Sequence, residues 1–295
     1  VPASSLASNR WVLGARPRTL PAAIVPVAVG AGAAAGESGA VWWRASLALV
    51  VSVALQIATN YVNDYADGVR GTDDVRVGPV RLVASGLATP GEVKRAALVA
   101  FAVAGVAGAV LAITVSPWLF ALGAVSMVAG WAYTGGPRPY GYLGLGEVFV
   151  FVFFGLVATA GTTFVVLGRS TGLAWYVGVP VGCLACALLV VNNLRDIPTD
   201  SRTGKRTLAV RLGDRRTRWL YLALVAVPYA AVPPLGAMGR PVAALALVSV
   251  LIARRPVQRI VEGVRGRDLI PVLAETGKVQ LVYGLLLAVG LAVVP

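Results

Sequence analysis

The sequence predicts an all-α polytopic membrane protein, and three observations predict it. Of 295 residues, 57% are hydrophobic and only 13% charged, against about 25% charged in an average soluble domain. The apolar residues gather into runs near the ~20 residues a helix needs to cross ~30 Å of hydrocarbon. The segments between those runs alternate sharply in charge. The net charge is +13, and there is no histidine, which removes His as a metal ligand, general base or phosphorelay residue. In a membrane chain such an excess of Lys and Arg marks cytoplasmic loops and contact with anionic lipid rather than nucleic acid.

Nine apolar helices are expected, at roughly 20–36, 41–63, 93–114, 117–134, 144–167, 173–194, 218–236, 238–253 and 278–294. The first is interrupted by Pro21 and Pro26. The eighth is short, with Arg240 and Pro241 crowding its start. The polar N-terminal residues lack an apolar signal core or cleavage motif, so the first run is expected to stay in the membrane. Cys183 and Cys186 form C-x-x-C inside an apolar run. They read as small buried helix residues rather than a redox or zinc pair.

With nine spans the loops alternate sides. One set comprises the N-terminus, 64–92, 135–143, 195–217 and 254–277. With its flanking helix ends it carries every Lys and Arg except Arg44, Arg169 and Arg240, and every acid except Glu37. Positive charge stays inside, so this set is expected on the cytoplasmic face of the cell membrane. Asn63-x-x-x-Asp67 at the end of the second helix returns as Asn192-x-x-x-Asp196 at the end of the sixth. The echo predicts a single domain of two four-helix repeats, about 10–143 and 144–254, plus a ninth helix at 278–294. Repeats related by an axis along the membrane normal would bring both acidic ends to one central cavity.

The chemistry concentrates in those two ends. Asn60–Asp74 holds Asp64, Asp67, Asp73 and Asp74, and Asn192–Lys205 holds Asp196 and Asp200. Carboxylates at a membrane boundary are costly to desolvate and take a partner. Mg²⁺ suits them, because it prefers oxygen ligands and keeps waters and substrate phosphates in its shell. The expected ligands are Asn63, Asp67 and Asp73 on one side, with Asn192, Asp196 and Asp200 on the other, and a diphosphate bridging them. Spacing by four puts Asn192, Asp196 and Asp200 on one helix face, although Pro198 leaves the continuity of that helix open. Arg81, Arg138, Arg195, Lys205 and Arg206 offer donors to phosphate oxygens. Asp74, Asp214, Glu262 and Asp268 read as solvated charge.

Five segments then carry a resemblance: A-R-P-R-T-L-P at 15–21, N-D-Y-A-D-G-V-R-G-T-D at 63–73, G-P-V-R-L-V-A-S-G at 78–86, Y-T-G-G-P-R-P-Y-G-Y-L-G-L-G-E at 133–147 and N-N-L-R-D-I-P-T-D-S-R-T-G-K-R-T-L-A at 192–209. In this order they resemble the UbiA superfamily of intramembrane aromatic prenyltransferases. The general pattern there is N-D-x-x-D-x-x-x-D. Here its last position is Gly71, and the next acids are Asp73 and Asp74, a departure that resembles the naphthoate branch. Asp73 is the favoured ligand of the two.

The resemblance implies a nine-helix fold around a cavity open sideways to lipid. It implies Mg²⁺-dependent transfer of a polyprenyl group from polyprenyl diphosphate to 1,4-dihydroxy-2-naphthoate, with loss of CO₂ and diphosphate. Asp67, Asp73, Asp196, Asp200 and Lys205 would be catalytic. Asn63, Asn192, Arg81, Arg138, Arg206, Tyr133, Tyr140 and Glu147 would bind substrate, Glu147 by orienting the acceptor or a loop. Tyr142 is a further candidate for contact with the diphosphate or the acceptor. Phe149, Phe153, Phe154 and Tyr133 would shield a cation-like centre. The rivals are a related enzyme with a 4-hydroxybenzoate or homogentisate acceptor, and an organic-anion transporter. The transporter fits less well, because the polar residues concentrate at one face rather than mid-helix.

Overall fold

The structure, a computed structural model, describes residues 10–72 and 80–293. Every regular element among them is helical. After a short helix, Arg10–Ala15, come α1 (Pro21–Ala34), α2 (Trp43–Val69), α3 (Pro90–Thr114), α4 (Trp118–Ala132) and α5 (Gly146–Leu167). Then follow α6 (Gly172–Arg202), α7 (Leu208–Ala237), α8 (Pro241–Val261) and α9 (Gly266–Ala292). Seven of these helices are long and apolar enough to cross a membrane; α1 and α4 are apolar but shorter. At 1.5 Å per residue the 14 residues of α1 span only about 21 Å. The chain is therefore a multi-pass membrane protein; hydropathy predicts nine helices, and among the described residues seven reach spanning length while α1 and α4 fall short of it.

Helix ends differ from the sequence expectation in a way that matters. Apolar runs stop where polar residues begin, but hydrogen-bonded helix need not. α2 runs to Val69 rather than 63, and α6 to Arg202 rather than 194, passing through Pro198 without a break. Both acidic motifs thus lie on final helical turns, not in loops. α3 begins at Pro90 because Thr89 and Glu92 form a reciprocal capping box, with Pro at the first helical position. α8 continues to Val261, and α9 starts well before 278, because Leu269, Val272 and Thr276 are buried. α7 is kinked at Gly213, whose φ of 74° suits only glycine comfortably.

α6 is the central helix. Of its apolar window 78% is buried inside the protein, against 28% to 50% for the other six long helices. Val177, Val181 and Leu184 pack in one core with Val25 and Val29 of α1 and Tyr283 and Leu287 of α9. Further along, Val190, Val191 and Leu194 join Tyr221 of α7, Ile260 of α8 and Val272 of α9. A third core joins α2 and α3 through Ala58, Val62, Ala97 and Phe101, and includes Leu82 of the connecting loop. α1 buries ten of its residues, whereas α4 buries only Ala129. Cys183 and Cys186 are buried free thiols.

α5 and α6 touch backbone to backbone. Residues Phe151–Val157 are wound as π-helix, and there Gly155 lies against Gly178 and Gly182. A Cβ on Gly155 would meet the Gly182 Cα at 2.5 Å. Backbone cannot yield as a flexible side chain does, so Gly155→Ala is expected to lower the thermal midpoint in detergent by several degrees. Gly105→Ala, in α3 with nothing within 4 Å of the added carbon, should leave it unchanged or raise it, since Ala favours helix by about 1 kcal/mol. Equal midpoints for the two variants would contradict the close α5–α6 contact.

Candidate functional site

The polar ends of α2 and α6 open on one cavity of about 700 Å³. From α2 it is lined by Asn60, Asn63 and Asp67, and from α6 by Asn192, Asn193, Asp196 and Asp200. Because α6 stays helical to Arg202, residues 192, 196 and 200 do share a face. The opposite end is apolar, lined by Val27, Val51, Leu111, Leu119, Leu122 and Val165. Along α2 alone the lining runs from Ala48 to Asp67, roughly 28 Å of helix at 1.5 Å per residue. The cavity therefore has the shape of an amphiphile, with a charged head end and an apolar tail end.

Asp67 is 3% exposed and is held from three directions. Lys205 Nζ donates to its Oδ1 at 3.0 Å, the Tyr142 hydroxyl donates to the same oxygen, and Arg81 approaches Oδ2 at 3.8 Å. Lys205 also lies over the Tyr142 ring, 4.7 Å from its centroid. Its position is set locally: the Lys205 amide donates to Asp200 O at 2.9 Å, and the Arg206 amide to Tyr142 O at 2.9 Å. Burial alone would lower the Lys205 pKa, but the adjacent Asp67 carboxylate outweighs it and raises the pKa above the ordinary lysine value. Burial, then Asp67, raises the Tyr142 phenol, which stays a donor.

Arg81 reaches Asp67 because of Asp64. The Asp64 carboxylate is fully buried and accepts the backbone N–H groups of Leu82 at 2.9 Å and Val83 at 3.0 Å. It belongs to the acidic stretch read from the sequence, yet its work is to tie the loop after α2 onto α2. On the other arm, Arg195 forks onto Asp196 with both bonds at 2.7 Å and donates to Asn192 Oδ1 at 2.8 Å. Arg195 is thereby committed to orienting the α6 oxygens.

The remaining expected residues divide. Tyr133 and Tyr140 line the cavity with Phe149, Phe153 and Phe154. Tyr140 stacks on Phe149 at 3.9 Å between ring centroids, and Phe149 on Phe153 at 6.0 Å. Asn63 accepts from the Thr134 hydroxyl. Arg138 and Arg206 are exposed and outside the cavity lining. Glu147 is buried behind it. Asp73 and Asp74 lie outside the described residues. Sequence reading passed over Gln56, Asn60 and Thr19, which hydrogen-bond to one another at the cavity wall, and Arg16, which donates to Asn60 O at 3.2 Å. The spacing of Gln56, Asn60 and Asn63 along an apolar helix was the available signal.

Among the described residues no three acidic, Cys or His side chains form a ready metal cluster. The donor set nonetheless fits Mg²⁺. Every candidate ligand offers oxygen, the two arms face one space, and neither arm alone supplies a full octahedron.

The pattern of the UbiA prenyltransferase family matches residues 23–269. The chain belongs to the UbiA prenyltransferase family. It is 53% identical over 283 residues to 1,4-dihydroxy-2-naphthoate octaprenyltransferase of Mycobacterium tuberculosis, covering 96% of this chain and 97% of that one. It is 36% identical to the Escherichia coli protein of the same name, over 74% and 73% of the two chains. Among solved structures, an apo UbiA homolog from Aeropyrum pernix aligns with TM-score 0.71 at 18% identity, covering 90% of this chain and 95% of that one. A UbiA homolog from Archaeoglobus fulgidus bound to GPP and Mg²⁺ aligns with TM-score 0.64 at 14% identity, over 93% and 98%. At such identities the likeness establishes the fold.

Two outcomes follow for this UbiA chain. Asp64→Ala leaves the buried Leu82 amide and the part-buried Val83 amide without an acceptor, at about 1–3 kcal/mol for the buried one. Limited proteolysis should then cut after Arg81 at least tenfold faster than in wild type; unchanged cutting would contradict the anchor. Lys205 has a raised folded-state pKa, so its stabilising contribution is present below the unfolded value of about 10.4 and fades as pH rises through the folded value. The thermal midpoint of wild type should exceed that of Lys205→Met from pH 7 to 9 and converge on it only at more alkaline pH.

Proposed function

We propose that this protein transfers a polyprenyl group from polyprenyl diphosphate to 1,4-dihydroxy-2-naphthoate, with loss of CO₂ and diphosphate, giving the quinol form of demethylmenaquinone. The observation that carries the reading is the amphiphilic cavity. Two oxygen-rich arms and a buried lysine stand at one end, an aromatic wall adjoins them, and an apolar channel leads away. The names of the relatives from M. tuberculosis and E. coli support the acceptor and the octaprenyl class of donor. The sorting of Lys and Arg supports a cell-membrane protein with its charged end on the cytoplasmic side.

Asn63 and Asp67 on α2 and Asn192, Asp196 and Asp200 on α6 would hold Mg²⁺, with Asp73 proposed as a further ligand. Bound there, Mg²⁺ would neutralise the diphosphate and stabilise charge on the leaving group. Lys205 and Arg81, both 9% exposed or less, bring fixed positive charge to the same end, where low dielectric strengthens it. The Tyr142 hydroxyl, kept protonated by burial, is a donor beside them. Walls of Phe149, Phe153 and Phe154 exclude water from an allylic cation and face it with π-density. The naphthoate ring, lodged against that wall, attacks the allylic carbon through its carboxylated position. The ring electrons form the C–C bond as the C–O bond to diphosphate breaks, and the carboxylate leaves as CO₂, restoring aromaticity.

The deciding experiment incubates membranes containing the protein with labelled polyprenyl diphosphate, Mg²⁺ and each acceptor in turn. Prenylated, decarboxylated naphthoate product is expected, abolished by excess EDTA. Product only from 4-hydroxybenzoate or homogentisate would overturn the acceptor assignment. Undiminished turnover in EDTA would overturn the metal.

A further inference from the structure

Glu147 is an expensive residue that the transfer chemistry leaves unused. It sits in the first turn of α5, is 7% exposed, and does not line the cavity. Its Oε1 accepts from Asn193 Nδ2 at 2.9 Å, and its Oε2 has no hydrogen-bond partner among the described residues. A buried carboxyl with a single side-chain bond costs stability, so a purely packing role is a poor explanation. What the bond does is fix Asn193. In the structure the Asn193 amide nitrogen is the end that meets the carboxyl oxygen, which leaves the Asn193 carbonyl unused by Glu147.

Asn193 does line the cavity. With one N–H given to Glu147, it retains a carbonyl oxygen and a second N–H, neither of which takes a partner among the described residues. Aromatic rings stand close to the Glu147 end of this bond. The Cβ position of Gly146, next to Glu147, is 3.5 Å from the Tyr133 hydroxyl. Tyr133 packs edge-on to Tyr140, which stacks on Phe149. The charged groups of the diphosphate end, Lys205 and Arg81, bond elsewhere, to Asp67.

We infer that Asn193, aimed by Glu147, is the hydrogen-bonding contact that recognises the aromatic acceptor. Its carbonyl accepts a ring hydroxyl while the Tyr140–Phe149 stack flanks the ring; Glu147 is the positioning residue behind it. This rests on the reading of the protein as an aromatic prenyltransferase, and it adds where the acceptor is read. It explains why an amide stands next to the metal-facing Asn192 yet is tied to a different helix.

The test measures equilibrium binding of 1,4-dihydroxy-2-naphthoate to the purified, Mg²⁺-loaded protein in detergent. Binding of a non-reactive prenyl thiodiphosphate is measured in parallel. Asn193→Ala and Glu147→Ala should each weaken acceptor binding about tenfold, one hydrogen bond's worth, with thiodiphosphate affinity within about twofold of wild type. Glu147→Gln keeps an accepting oxygen in place and should restore acceptor binding. Wild-type acceptor affinity in Asn193→Ala would overturn the inference. So would equal loss of both ligands, which marks damage to the fold or to the diphosphate end, and so would Glu147→Gln matching Glu147→Ala. If wild type binds 4-hydroxybenzoate instead, the naphthoate assignment fails, and the same variants measured with that acceptor still decide the role of Asn193.

Discussion

The site depends on one buried contact, the Lys205–Asp67 ion pair with the Tyr142 hydroxyl on the same carboxylate oxygen. It joins three segments that are distant in sequence: the last turn of α2, the connection before α5, and the turn after α6. A charge pair out of water is worth holding only if its hydrogen bonds are complete. Here the surrounding loops are shaped to complete them, through Asp64 on the Leu82 and Val83 amides and through the Arg206 amide on Tyr142. The donors on Asp67 come from three separate segments, so its carboxylate is fixed in place at the head of the cavity. The contact that closes the head of the cavity is thus also the contact that positions the Asp67 carboxylate there.

The rest of the fold serves to place α2 and α6 on opposite sides of that head. α6 is buried along most of its length, and the glycines at its crossing with α5 let two backbones touch. α2 is braced on α3 and on the short N-terminal helix, where the Tyr61 hydroxyl donates to Trp11 O at 2.7 Å. The space left between the braced helices tapers from charged to apolar. That gradient matches a diphosphate head and an isoprenoid tail, and it follows from where Asp, Asn and Lys cease along each helix and Val and Leu take over.

Much of this was legible in the sequence. Hydropathy separated the long helices, and the repeated Asn-x-x-x-Asp spacing named both arms. Helix ends were less legible: hydropathy reports lipid, not hydrogen bonding, so α2 and α6 ran further than their apolar runs. Charge type was legible, but its partners were not. Arg195 and Arg81 look alike in sequence, yet one is forked onto its own neighbour Asp196 and the other is carried to Asp67 by a loop that Asp64 anchors. Arg138 and Arg206 fit a phosphate by composition and are exposed in the fold. Asn193 was hidden beside Asn192, because adjacent helix positions point about 100° apart and only packing tells which face meets Glu147.

The α2 and α6 arms are proposed to hold one diphosphate jointly through Mg²⁺. A double-mutant cycle on Asp67→Ala and Asp196→Ala tests it most directly, reading Mg²⁺-dependent binding of a prenyl thiodiphosphate. Each single variant is expected to lose most of the Mg²⁺-dependent affinity, and the double variant to lose little more, because the two residues act as a unit. Independent, additive losses, or full Mg²⁺-dependent binding in either single variant, would contradict the account.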